Sequence, residues 1–99
     1  MDTVAELTQT VQNAVEDYAK GGWIKASGYA VSDTNRHIYL VMAVPDYPRR
    51  FPAGIVVAAR IKNDKVIIEE DTTDKPLWEE LVRMGIPREQ IILSYAGES

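Results

Sequence analysis

The sequence predicts an α+β fold: an N-terminal helix, an antiparallel meander of about four strands, a second short helix and a final strand, with the helices packed on one sheet face. Three observations carry this. Apolar residues recur at helical spacing before residue 20 and again from Leu77 to Val82. β-Branched and aromatic runs broken by turn residues fill Trp23 to about Glu70. A last apolar run, Ile91-Ile92-Leu93, follows Gly85 and Pro87. Ninety-nine residues without an internal repeat suit one domain over residues 1–99.

In the first helix Val4, Leu7, Val11, Ala14, Val15 and Tyr18 form one stripe, while Gln9, Gln12, Asn13 and Glu16 occupy other faces. Thr3 and Glu6 read as a capping box, and Gly21-Gly22 after Lys20 offers a residue for positive φ at the stop. The strands are expected at Ile24–Val31, Ile38–Val44, about Gly54–Lys62 and Lys65–Glu69. Ser32-Asp33-Thr34-Asn35-Arg36 makes a hairpin connection, and Asn63-Asp64 matches a two-residue turn that needs positive φ twice. Between the second and third strands, Pro45, Pro48 and Pro52 remove three backbone donors, so Pro45–Pro52 is a loop and the expected functional surface. Asp71-Thr72-Thr73-Asp74 supplies caps for a helix with Pro76 in its first turn and Leu77, Trp78, Leu81 and Val82 on its apolar side. Gly85 closes that helix. The core should draw on Leu7, Val11, Val15, Leu40, Ile55, Val57, Ile61, Ile68, Leu81 and Ile91.

Composition narrows the chemistry. Eleven Lys+Arg against fifteen Asp+Glu give a formal charge of −4, which argues against autonomous binding to duplex DNA. The absence of cysteine removes disulfides, thiol nucleophiles and zinc-thiolate sites, and suits a cytoplasmic location. No secretory signal or lipidation motif is visible at the start. His37, the one imidazole, reads as exposed scaffold at a strand entrance. Glu69, Glu70, Asp71 and Asp74 could gather around Mg²⁺, but alternation along a strand lets only Glu69 and Asp71 converge. Pro45-Asp46 resembles the start of a nuclease signature, yet the residues two before Lys62, Lys65 and Lys75 are Arg60, Asn63 and Thr73, so the later acidic-x-Lys is missing. A metal-dependent hydrolase centred on Asp46, Glu69 and Asp71 is therefore the lesser reading. Neither a phosphate-cradling glycine loop nor a Gly-x-Ser-x-Gly elbow occurs. These observations assign no catalytic, metal or cofactor residue.

Arg36, Arg49 and Arg50, with Tyr47 and Phe51 as aromatic neighbours, are the candidate partner-binding residues, against the plainer reading of a solvated loop. Trp23 and Trp78 are expected to plug the core at element ends.

The stretch Asp33-Thr34-Asn35-Arg36-His37-Ile38-Tyr39-Leu40-Val41 resembles the Asp-Thr-x-Arg-x-x-Tyr-x-Leu-Val pattern of the XisI-type element-excision controlling factors. The resemblance continues in order through Arg49-Arg50 before Gly54, Ile61-Lys62-Asn63-Asp64-Lys65-Val66 before Asp71-x-Thr, and Glu80-Leu81-Val82-Arg83-Met84-Gly85-Ile86-Pro87 leading to Ile91-Ile92-Leu93. It departs where the family usually has Gly-Trp and this chain has Val44-Pro45-Asp46-Tyr47, and in the short tail Ser94–Ser99. What the resemblance implies is a small α+β, non-enzymatic accessory factor for programmed excision of a DNA element. Its implied partner is a nuclease-like protein of the XisH type, so that nucleic acid is met only indirectly. A homo-oligomeric module unrelated to DNA is the alternative, since edge strands must be paired or protected.

Overall fold

The computed structural model describes the backbone of residues 3–99 and the side chains from Ala5 onward. The chain runs through α1 (Thr3–Ala19), β1 (Ala26–Asp33), β2 (Ile38–Pro45), β3 (Gly54–Lys62), β4 (Lys65–Asp71), α2 (Leu77–Arg83) and β5 (Ile91–Leu93), with single 3₁₀ turns at Arg88–Gln90 and Ser94–Ala96. The five strands form one sheet in the order β1-β2-β3-β4-β5. The first four are antiparallel neighbours, and β5 joins β4 in parallel because α2 carries the chain back before it re-enters the sheet. The expected α+β order holds. β1 starts two residues later than the sequence indicates and ends at Asp33, while β4 extends to Asp71.

Both helices cover the same sheet face. Leu7, Val11, Ala14 and Val15 of α1 and Leu77 and Leu81 of α2 share one buried cluster with Tyr39, Val41, Val57, Ala59, Ile61, Val66, Ile68, Ile91 and Leu93. Each fully buried leucine contributes about 1.5–3 kcal/mol. Two expected core residues do not belong to it. Leu40 is half-buried on the uncovered face, because β2 is apolar on both sides and its odd residues, Tyr39 and Val41, are the ones turned to the helices. Ile55 is 49% exposed. A β-bulge explains it: Val41 pairs with Val57 but Met42 pairs with Ile55, so Val56 is an extra residue that turns Ile55 away from the face Val57 occupies.

A second bulge lies between β3 and β4, where Ala59 pairs with Ile68 and Ala58 with Glu70. Glu69 is the extra residue. Its carboxylate accepts from Arg60 Nε at 2.6 Å on the uncovered face, and Asp71, opposite buried Val57, is delivered to the helix side. There Asp71 Oδ2 accepts from Leu77 N at 2.7 Å and Oδ1 from Thr73 N at 2.9 Å. The cap of α2 thus comes from Asp71, six residues before the first helical residue, with Pro76 at the N-cap position. At the other end Gly85 adopts φ +104°, Gly85 N–H donates to Val82 O and Ile86 N–H to Leu81 O, both at 3.0 Å, and the Ile86 side chain is buried. That is the Schellman arrangement expected of Gly85.

The stop of α1 differs from expectation. Neither Gly21 nor Gly22 has positive φ; instead Trp23 Nε1 donates to Ala19 O at 3.0 Å, and the indole lies against Gly28 of β1. The tryptophan satisfies a terminal carbonyl and covers the strand at once. The expected Thr3–Glu6 cap rests on a side chain outside the described residues. Asn63 and Asp64 both have positive φ (53° and 61°), as the two-residue turn requires. Tyr18 OH donates to Lys75 O, tying α1 to the segment that leads into α2. Burial pushes the Tyr18 hydroxyl up to about 12, so it stays a donor across the ordinary pH range.

Adding a methyl group at Gly28 would place a carbon 2.4 Å from Trp23 Cε2 and Nε1. Gly28→Ala is therefore expected to lower stability by about 1–3 kcal/mol in urea unfolding and to change the tryptophan emission, while Ala30→Ser on the same strand changes neither. Asp71→Ala removes the α2 cap and is expected to cost about 1–2 kcal/mol by the same measurement. Glu98 accepts from Leu93 N at 2.8 Å and from Arg88 Nη2 at 2.9 Å. The backbone N–H of Leu93 foremost, and Arg88 with it, hold its carboxyl below the usual value of 4.5. A depressed folded-state pKa gives stability that is present above the unfolded value and is lost as pH falls through the folded one. Glu98→Gln should accordingly lower the urea midpoint at neutral pH and converge on the unmodified protein in acid.

Candidate functional site

The loop between β2 and β3 is shaped by its prolines and pinned at its start. Pro45 ends β2, the Tyr47–Pro48 peptide is cis, and Asp46 N–H donates to Lys25 O at 2.9 Å, fixing the loop against the segment before β1. A groove of about 760 Å³ opens between Ile24-Lys25 on one side and Tyr47, Arg50 and Phe51 on the other. Its large apolar side chains face water: Ile24 is 85%, Tyr47 82% and Phe51 71% exposed. Burying such groups is favourable by roughly 25 cal/mol per Å², and contiguous exposed apolar area of this kind is what contact surfaces are made of.

Lys25 and Arg50 line the same groove together with Asp46, and Arg49 lies beside it. The Arg49 guanidinium sits over the Tyr47 ring, 4.8 Å from its centroid, which orders both side chains through a cation–π contact. Among the described residues no ion pair engages Arg49, Arg50 or Lys25. The surface therefore offers aromatic and aliphatic area with uncommitted positive charge on a chain that is negative overall. Chemically it can desolvate against an apolar partner surface and pair with carboxylates at the rim.

The structure brings together Tyr47, Arg49, Arg50 and Phe51 but not Arg36. Arg36 lies in the β1–β2 turn at the far end of β2, where its backbone N–H and Nη1 both reach the Asp33 carboxylate at 3.0 Å. These contacts hold the Asp33 carboxyl below its usual value, the Arg36 backbone N–H being the largest cause. His37 in the same turn is half-buried, with φ of 55°, and its carbonyl accepts from Ile61 N at 3.0 Å; it is a turn residue rather than exposed scaffold.

The acidic residues are held apart. The β4 bulge sends Glu69 and Asp71 to opposite sheet faces, one bonded to Arg60 and the other capping α2, whereas Asp46 lies in the loop. The hydrogen bond from Arg60 keeps the Glu69 carboxyl below its usual value. Among the described residues no three potential ligands converge on one point. Trp23 and Trp78 pack against the core as expected, and Arg88 lies 5.2 Å from the centroid of Trp78.

Sequence reasoning missed Ile24 and Lys25. Both read as the start of β1, and only the shift of that strand to Ala26 leaves them at the groove. It also missed the apolar face opposite the helices, where Tyr29, Val31, Met42 and Ile55 are exposed. The unbroken run Ile38–Val44 was its one signal, since a strand that is apolar on both sides has something to bury on both.

Comparison with curated proteins returns no match. Among solved structures, a XisI-like protein from Anabaena variabilis ATCC 29413 superposes with a TM-score of 0.80 at 28% identity, over 90% of this chain and 84% of that one. The fdxN element excision controlling factor XisI from the same organism superposes with a TM-score of 0.76 at 24% identity, over 95% of this chain and 93% of that one. The family model described as XisI protein matches residues 1–99. Matched along its whole length and in its fold, the chain belongs to the XisI family.

Proposed function

We propose that this protein is a non-enzymatic accessory factor in the control of DNA element excision, acting in the cytoplasm by docking a protein partner on the Tyr47–Phe51 loop. Membership of the XisI family supports the process, because a structural relative carries the name fdxN element excision controlling factor. The observation that carries the docking surface is the exposed pair Tyr47 and Phe51 beside unpaired Arg49 and Arg50. Aromatic residues and arginine are what central interface contacts select, since they bury large rigid area and pair with carboxylates at low entropic cost. The partner is a nuclease-like protein of the XisH type, which supplies the DNA chemistry and the DNA contact. A formal charge of −4 supports that division, because phosphate contacts fall to the partner.

The test is a pulldown and calorimetric titration with the product of a neighbouring nuclease-like reading frame. A complex at tens of micromolar or tighter is expected. The double substitution Arg49→Glu/Arg50→Glu should weaken it by about 1–3 kcal/mol, while Lys62→Glu at the β3–β4 turn leaves it unchanged. No binding at those concentrations overturns the proposal, and equal affinity of the double variant removes the loop from it.

A further inference from the structure

We infer that Arg88 and Glu98 form a detachable seal on the sheet at β5, occupying every outward backbone group of that edge and so keeping other strands off it. β5 closes one side of the sheet and pairs only with β4, in parallel. Backbone groups along a strand point alternately to either side. Ile91 and Leu93 are the two residues that point outward, since both find their partners outside the sheet, and Ile92 between them turns to β4.

Four outward groups therefore need partners, and two residues supply them all. The Ile91 N–H donates to Arg88 O, and Ile91 O accepts from Arg88 Nη1 at 2.8 Å. The Leu93 N–H donates to Glu98 Oε1 at 2.8 Å, and Leu93 O accepts from the Glu98 N–H at 3.0 Å. Glu98 thus stands beside Leu93 as one residue of a further strand would, its carboxylate in the place of a backbone carbonyl. The ion pair of Arg88 Nη2 with Glu98 Oε2 at 2.9 Å joins the two halves of the seal, and the Trp78 ring holds Arg88 from α2.

One turn folds the chain back to make this possible. After the 3₁₀ turn Ser94–Ala96, Gly97 takes φ of +91°, and the bonds from Gly97 N–H to Ser94 O and from Glu98 N–H to Leu93 O form a Schellman closure. A side chain at Gly97 would meet nothing within 4 Å, but that φ would strain it. The seal is also separable from the core. Ile91 and Leu93 are buried in the main cluster, whereas Gly97 and Glu98 are exposed, so the cover can leave while β5 stays in place. What it leaves behind is bare edge backbone, which accepts any extended strand.

Amide hydrogen exchange and sedimentation of the full chain test this with Glu98→Ala and Gly97→Ala, which open the seal by different means, one through the carboxylate and the other through the turn. Each is expected to speed exchange of the Leu93 amide by about tenfold or more while the Ile92 amide, bonded to β4, keeps its rate. Each is also expected to self-associate more than the unmodified protein at equal concentration, because in a pure sample the strand at hand is β5 of another copy. Val15→Ala, which hollows the core under α1, is the control for lost stability and should leave association unchanged. Unaltered Leu93 exchange in either variant, equal acceleration at Leu93 and Ile92, or association no greater than that of Val15→Ala would overturn the inference.

Discussion

A helix of seventeen residues and one of seven must shield a five-stranded sheet, and nearly every other feature follows from how little they can cover. They reach one face only, and there they exclude water from Tyr39, Val41, Val57, Val66 and Ile68. The other face keeps Tyr29, Val31, Met42 and Ile55 in contact with solvent, and beyond Gly28 the outermost strand is bare on both sides, since Ala30 and Ser32 are exposed as well. A chain without cysteine has no disulfide to brace that single covered layer, and Trp23, Tyr18 and Asp71 each add a hydrogen bond that fixes a helix to the sheet or to the other helix.

The order of elements was legible because it is written in local chemistry. Periodicity located α1, proline and glycine bounded α2, and Asn63-Asp64 could hardly be anything but a tight turn. The side of the sheet on which a residue falls was harder to read. Alternation predicts that Ile55 and Val57 share a face, and likewise Glu69 and Asp71, and in both cases one inserted residue reverses the outcome. Val56 and Glu69 carry no glycine or proline to announce the irregularity. The stop of α1 escaped for a different reason: Gly21-Gly22 was a sufficient local signal, and a side chain four residues beyond the helix supplied the partner instead.

The candidate site shows a similar division. Proline content located the loop, and arginines beside aromatic residues marked its character. Its second wall, Ile24 and Lys25, lies more than twenty positions earlier in the chain and becomes adjacent only through the hydrogen bond that anchors Asp46. Arg36 belongs to another surface within one chain, because a strand of eight residues separates the two ends of the hairpin. On the docking proposed above, a negative protein with a local basic and aromatic loop would suit a partner that combines acid with apolar area better than a polyanion.

The bulge in β4 gives that strand one position of slack. Excision of the single codon for Glu69 would leave Ile68, Glu70 and Asp71 opposite Ala59, Ala58 and Val57 in regular alternation, so Asp71 would keep its side of the sheet and its hold on the start of α2. The loss would fall on Arg60, whose carboxylate partner would be gone. Within this family, natural variation in β4 should therefore include shortening by that one residue, whereas a further insertion there would have no ready place in the ladder.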